Sequence, residues 1–288
     1  MQPMRIQEEC RDCLIRLVEL TVNLATQDPE LRNTSKDAAL AIIAEEFAPE
    51  AIPALIANRF HQEIKRLTGN PDPFRPHKEA ETAFLERHFR TVSATFPESL
   101  ESLLKLAVLG NAVDFFRTPD EVSREFSPDL TFTISHVGLF EDRLNANPGL
   151  LLYLADNAGE QHFDAPLVQH LRRRGWQVLY VVKGAPIQND LTRADLEASG
   201  LLPHLEPVLE TGTETVGLVL SEASPAFRQL YDQAHLIIAK GMGHFETLAR
   251  FPDPRVFFLL QAKCRPVAQA LRVPLGSFVF VHAEDISP

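Results

Sequence analysis

Apolar residues recur every three or four positions through the first third of the chain, then gather into short unbroken runs after about residue 149. Over residues 10–24, Leu14, Leu17, Val18, Leu20 and Val22 mark the stripe of an amphipathic helix. The capping run Asn33-Thr34-Ser35-Lys36-Asp37 predicts a helix over 38–47, which Pro49 stops. Further helices are predicted over 53–67, 78–96 and 98–113, with a rigid Pro-rich turn at 69–76. No strand pattern precedes about Thr131.

The later runs lie at 150–155, 177–182, 235–239, 256–260 and 278–281. They are continuous rather than alternating, as in parallel strands covered on both faces. Helical stretches at 163–174, 224–232, 245–250 and 266–271 separate several of them. Strand alternating with helix implies a mostly parallel sheet with right-handed crossovers. The expected fold class is α/β, with a helical bundle subdomain over 1–125 and a three-layer α/β/α domain over 126–288.

Three run ends carry polar clusters. They are Asp156-Asn157-Ala158-Gly159-Glu160, the segment from Lys183-Gly184 to Asn189-Asp190, and Lys240-Gly241-Met242-Gly243-His244. Singly, each is ordinary turn or cap chemistry. Parallel neighbouring strands, however, bring all three to one edge, where open α/β sheets place their ligands. Asp156, Asn157 and Asp190 offer hard oxygens suited to Mg²⁺ or Mn²⁺. Lys183 and Lys240 stand beside glycine-rich turns that suit a phosphate. The combination describes metal-assisted phosphoryl chemistry, with Lys240 offsetting developing charge.

Composition narrows the partners. A net charge of −11 argues against nucleic acid or an anionic membrane as partner, although it allows a local phosphate pocket. Three cysteines make a disulfide framework unexpected and point to a reducing, cytoplasmic setting. The N-terminus lacks a basic stretch followed by an apolar core, and no apolar run is long enough to span a bilayer. A small phosphorylated metabolite is the expected partner, and the oligomeric state is left open.

The three clusters resemble signature segments of the damage-control phosphatase family, some of whose members carry the label acidic-residue methyltransferase. Cys10-Arg11-Asp12-Cys13 is similar to the CxxC of its prokaryotic branch, and Asp72-Pro73-Phe74 with Lys78, Gly110 to Phe115 and Ala262-Lys263-Cys264 resemble further segments. The resemblance implies a helical bundle on a Rossmann-like domain, with a divalent metal ion (Mn²⁺, Mg²⁺, Ni²⁺ or Co²⁺) between them. It implies Asp156, Asn157 and Asp190 as metal ligands and Lys240 as a phosphate contact. It also implies hydrolysis of phosphate monoesters of sugars, nucleotides or cofactor fragments. Asp156, Glu160 and Lys240 are then the expected catalytic residues. Lys183, Gly241, His244, Asn111 and Asp114 are the expected substrate-binding set. His244 stands where the family usually has Asn; it could donate to a phosphate, with a charge that depends on pH. Thr82 likewise replaces a frequent Asn.

Some roles stay open at this stage. Asn111 and Asp114 in the apolar segment 106–116 either cap a helix or line the cleft. Cys10 and Cys13 share a helical face and suit buried packing, redox sensing or a stray metal site. Two rival functions remain: an S-adenosylmethionine-dependent carboxyl methyltransferase, for which Ala158-Gly159 is a poor glycine turn, and a non-catalytic phosphometabolite sensor.

Overall fold

The computed structural model describes residues 1–112, 129–251 and 253–286. Three N-terminal helices, α1 (Glu8–Ala25), α2 (Pro29–Glu46) and α3 (Pro53–Thr68), close their apolar stripes around Val18, Ala39, Phe60 and Ile64. Helix α2 starts earlier than its sequence pattern predicts. The Asp28 carboxylate accepts from the amides of Glu30 and Leu31 at 2.8 and 3.2 Å, and Pro29 follows in the first helical turn, where a missing N–H costs nothing. The run from Asn33 to Asp37 therefore lies inside the helix.

Helices α4 (Arg75–Val92) and α5 (Leu100–Gly110) bury a different face. Leu85, Leu103 and Leu106 join Leu151, Tyr153 and Phe163 in a core shared with the sheet. The expected boundary at 125/126 and the candidate Asp114 fall outside the described residues.

Seven strands form the sheet: β1 (Ile134–Ser135), β2 (Leu150–Leu154), β3 (Gln177–Val182), β4 (Val208–Glu210), β5 (Leu236–Lys240), β6 (Val256–Gln261) and β7 (Phe278–His282). Helices α6 (Val137–Ala146), α7 (Gln161–Arg173), α8 (Arg193–Ala198), α9 (Leu202–Leu205), α10 (Pro225–Gln233), α11 (Gly241–Leu248) and α12 (Arg265–Leu271) connect or flank them. The order is β1-β7-β6-β5-β2-β3-β4, parallel throughout except between β6 and β7. All five residues of β2 and of β5 are buried, as their unbroken apolar runs require. The two strands without a sequence signal, β1 and β4, have two and three residues, too few for a period to register.

The topology places the site. From β2 the chain moves to β3 and β4 on one side, then returns to β5 on the other side of β2. That reversal leaves a crevice beyond the carboxyl ends of β2 and β5, where open α/β sheets bind ligands. Helix α4 braces it. The buried Lys78 ammonium lies 2.8 Å from Asp72 and 3.1 Å from Asp195 of α8, and Asn189 donates to Glu81 at 2.9 Å. Replacing Lys78 by Met leaves two partly buried carboxylates without their cation. We expect a loss of about 2 kcal/mol, between the values for exposed and fully buried pairs. Urea denaturation measures it, and an unchanged midpoint would show that the brace carries no stability.

Candidate active site

Three backbone connections draw the polar clusters together. The Ala158 amide donates to the Asn189 carbonyl at 2.8 Å, the Leu191 amide to the Asp156 carbonyl at 2.8 Å, and Asn157 bridges Asp190 in antiparallel fashion. Asp156, Asn157 and Asp190 thereby become neighbours. Gly241, the first residue of α11, makes the approach possible. Its φ is +79°, and a Cβ there would lie 1.9 Å from the Asp156 carboxylate. Gly159 is also tightly placed, since a Cβ there would lie 2.7 Å from Leu85 and 3.1 Å from Thr82 of α4.

The carboxylates are tied by amides. Asn111, just past the end of α5, donates from Nδ2 to Asp156 at 2.7 Å and to Glu160 at 3.0 Å. Its own oxygen accepts from the Gln261 amide at 3.3 Å, which fixes the orientation of the group. Asn157 Nδ2 donates to the same two carboxylates, at 3.0 and 2.8 Å. The Oδ1 of Asn157 accepts from none of the described residues, and Asn157 lines a cavity of about 380 Å³. Asp156 and Asp190 form its floor, and Leu14, Leu17, Ala54 and Ala57 of the N-terminal bundle line it together with Lys263 and Glu246. A second, more open groove of about 630 Å³ lies at the amino ends of β2, β3 and β5, away from these clusters.

The two expected phosphate lysines point elsewhere. The Lys240 ammonium is fully buried among Asp164 at 2.6 Å, Glu160 at 2.7 Å and the Ala107 carbonyl at 2.8 Å. It donates hydrogen bonds to Asp164 and the Ala107 carbonyl, while its contact with Glu160 Oε2 is an ion pair without hydrogen-bond alignment. Lys183 donates to the Gly217 carbonyl and lies 3.3 Å from Asp190. Neither ammonium lines the cavity, and neither do Glu160, Gly241 or Asn111. These residues hold the floor from beneath. Lys263, in the loop after β6, does line it, and its charge acts on both Asp156 and Glu160. Nothing in the local pattern distinguished Lys263 from a solvated loop lysine.

His244 also departs from expectation. Its Nδ1 lies 2.7 Å from the Lys240 carbonyl, which can only accept, so the ring proton sits on Nδ1 and Nε2 is left as an acceptor. Burial, with Lys183 nearby, lowers its pKa to about 3. The imidazole therefore stays neutral at ordinary pH and has no donor for a phosphate.

The carboxylates strain against one another. Burial, then Glu160 and Asp190, push Asp156 well above the usual carboxylate range. Burial raises Asp190 to about 6 against the pull of Lys183. Glu160 is held below its usual value, because Lys240 and Asn111 outweigh its burial. One oxygen of Asp190, Oδ2, is buried with no hydrogen bond among the described residues, the Lys183 contact lacking the alignment of one.

The thiols read as packing. Cys10, Cys13 and Cys264 form no disulfide among the described residues and line the cavity. Burial pushes Cys10 up to about 11 and Cys264 up to about 12, so both remain thiols, whereas redox chemistry needs the thiolate. Glu246 sits at the start of α3, accepting from the Ala54 amide at 3.1 Å, and burial raises it to about 7. A carboxylate raised in the folded state binds its proton more tightly there than when unfolded. Stability from this group therefore falls as pH rises from about 4.5 to about 7 and is level above. Glu246→Gln should flatten that slope in thermal melts between pH 5 and 8; an unchanged slope would refute the assignment.

Comparison with known proteins agrees with this architecture. The family model of the damage-control phosphatase ARMT1-like domain matches residues 6–279. The chain belongs to that family. It is 35% identical over 282 residues to a damage-control phosphatase of Pyrococcus horikoshii, covering 96% of this chain and 97% of the relative. It is 30% identical over 284 residues to a damage-control phosphatase of Archaeoglobus fulgidus, covering 96% and 98%. The crystal structure of a DUF89 family protein from P. horikoshii superposes with a TM-score of 0.87 at 33% identity, covering 97% of this chain and 99% of that one. The mixed helical and mostly parallel architecture is thus that of the family. Among the described residues no helix is long and apolar enough to cross a membrane.

Proposed function

We propose that this protein is a metal-dependent phosphatase acting on phosphate monoesters of small metabolites. One observation carries the reading. Among the described residues, four buried carboxylates (Asp156, Glu160, Asp164 and Asp190) cluster around two buried ammonium groups (Lys183 and Lys240). The deficit is two positive charges, the charge of one divalent cation. Buried charge without compensation is expensive, and the raised pKa values of Asp156 and Asp190 register that expense.

The donors fit such an ion. The unsatisfied Asp190 oxygen, the Asp156 carboxylate and the Asn157 amide oxygen are hard ligands. Among the described residues no three His, Cys, Asp or Glu side chains form a cage, so water and substrate oxygens would complete the shell, as Mg²⁺ and Mn²⁺ commonly require. When bound, the ion would polarise the phosphoryl oxygen and lower the pKa of a nearby water. Lys263 takes the phosphate-binding role expected of Lys183 and Lys240, because it lines the cavity and they do not. Leu14, Leu17 and Ala57 give the cavity an apolar wall opposite the carboxylates, and Glu160 orients the Asn157 amide.

The test is a screen of sugar phosphates, nucleotides and cofactor fragments with protein stripped by EDTA and reloaded with Mn²⁺, Mg²⁺, Co²⁺ or Ni²⁺. Phosphate release that needs an added ion supports the reading. Binding of S-adenosylmethionine without phosphate release would replace it with the methyltransferase, and ligand binding without any turnover with the sensor.

A further inference from the structure

A buried carboxylate outside the expected site anchors its floor. Asp164 lies one turn beyond Glu160 on α7 and is fully buried. Its two oxygens accept from the Tyr153 hydroxyl at 2.7 Å and the Tyr180 hydroxyl at 2.7 Å, and Lys240 lies 2.6 Å away. Tyr153 and Tyr180 are register partners on β2 and β3, with rings stacked 5.4 Å apart. Three donors from three strands converge on one carboxylate.

We propose that Asp164 is a positioning residue that, through Lys240 and Glu160, aims the Asn157 amide oxygen into the cavity. The inference rests on the proposed function. The chain of contacts is continuous. Asp164 accepts a hydrogen bond from Lys240, and Lys240 in turn holds Glu160 Oε2 by an ion pair at 2.7 Å. Glu160 Oε1 then draws Asn157 Nδ2 to 2.8 Å, which leaves the amide oxygen turned from the carboxylates. Without Asp164, the Lys240 ammonium would be shared by fewer acceptors, and Glu160 would be free to turn with it.

A buried ion cluster is a poor device for stability alone, since apolar side chains of similar volume often do as well or better. Outer groups that orient metal ligands, by contrast, commonly affect affinity by about 10–100-fold. Asp164 itself is too deep to touch substrate: it does not line the cavity.

The experiment measures Mn²⁺ affinity of the full chain from the electron paramagnetic resonance signal of the free ion. Asp164→Asn should raise Kd about tenfold or more, and Tyr180→Phe should raise it by less in the same direction. At saturating Mn²⁺, kcat on an aryl phosphate should return toward wild type, because Asp164 is fully buried and does not line the cavity. Ile64→Ala, in the core of the N-terminal bundle, serves as a control of comparable instability and should leave Kd unchanged. If Asp164→Asn does not fold, Tyr180→Phe decides alone. A Kd within twofold of wild type in the folded variants, or an equal rise in Ile64→Ala, overturns the proposal while the phosphatase reading stands. Wild-type protein that takes up no Mn²⁺ overturns both.

Discussion

Asp156→Asn should lower turnover of an aryl phosphate by about 10³-fold, the scale of losing a group that stabilises transition-state charge. The same variant, stripped of metal, should be at least as stable as wild type. The two halves share one cause. Asp156 is opposed by its own burial and by the charges of Glu160 and Asp190, so ionising it in the empty fold is unfavourable. An amide of the same shape removes that repulsion and can still accept from Asn111 and Asn157. Melts with and without Mn²⁺ separate the effects: wild type should be stabilised by the ion and Asp156→Asn should not. Unchanged turnover would remove Asp156 from the site. A metal-free variant clearly less stable than wild type would refute the electrostatic account.

The largest effect on stability should come from Lys240→Met. The substitution leaves Glu160 and Asp164 as buried carboxylates without a cation, and the Ala107 carbonyl without a donor. Removing one partner of a buried ion pair costs about 3–5 kcal/mol. Equilibrium denaturation in urea measures it, and a loss below about 1 kcal/mol, the scale of an exposed pair, would mean that water reaches the cluster. A phosphate contact in an open cleft would behave in the opposite way, losing activity with little change in stability. The variant thus distinguishes the supporting role seen in the structure from the ligand-binding role suggested by the motif.

Much of the architecture was readable from pattern. Runs such as Leu150 to Leu154 and Leu236 to Ala239 announce buried strands because both faces of a parallel sheet are covered. The start of α2 was misplaced because Asn33 to Asp37 offers many capping side chains, whereas Asp28-Pro29 supplies the cap that the chain uses. Helix α11 was expected only from residue 245. It starts at Gly241, whose positive φ and missing side chain make room for Asp156, a requirement set by a strand end more than eighty residues earlier.

The cluster of candidate ligands was legible and the packing of the cations was not. Asp156 and Asn157 stand just past the end of β2, and Asp190 lies in the loop after β3, so their position on one sheet edge follows from where the apolar runs stop. A lysine at such an end can turn outward to a phosphate or inward to a carboxylate, and local pattern is the same in both cases. The choice for Lys240 depends on Asp164, Glu160 and Ala107, brought together from α7 and α5. Asp164 itself resembles an ordinary acidic residue in the first turn of a helix. The available signal was indirect: Tyr153 and Tyr180 place hydroxyls in apolar strand runs where both residues are fully buried, and buried hydroxyls need a partner. Periodicity along the chain therefore determines the strands and the edge where chemistry gathers, since burial of apolar runs is a local matter. The direction in which each charged group points is settled only by the tertiary fold, because buried charges are paid for by partners distant in sequence.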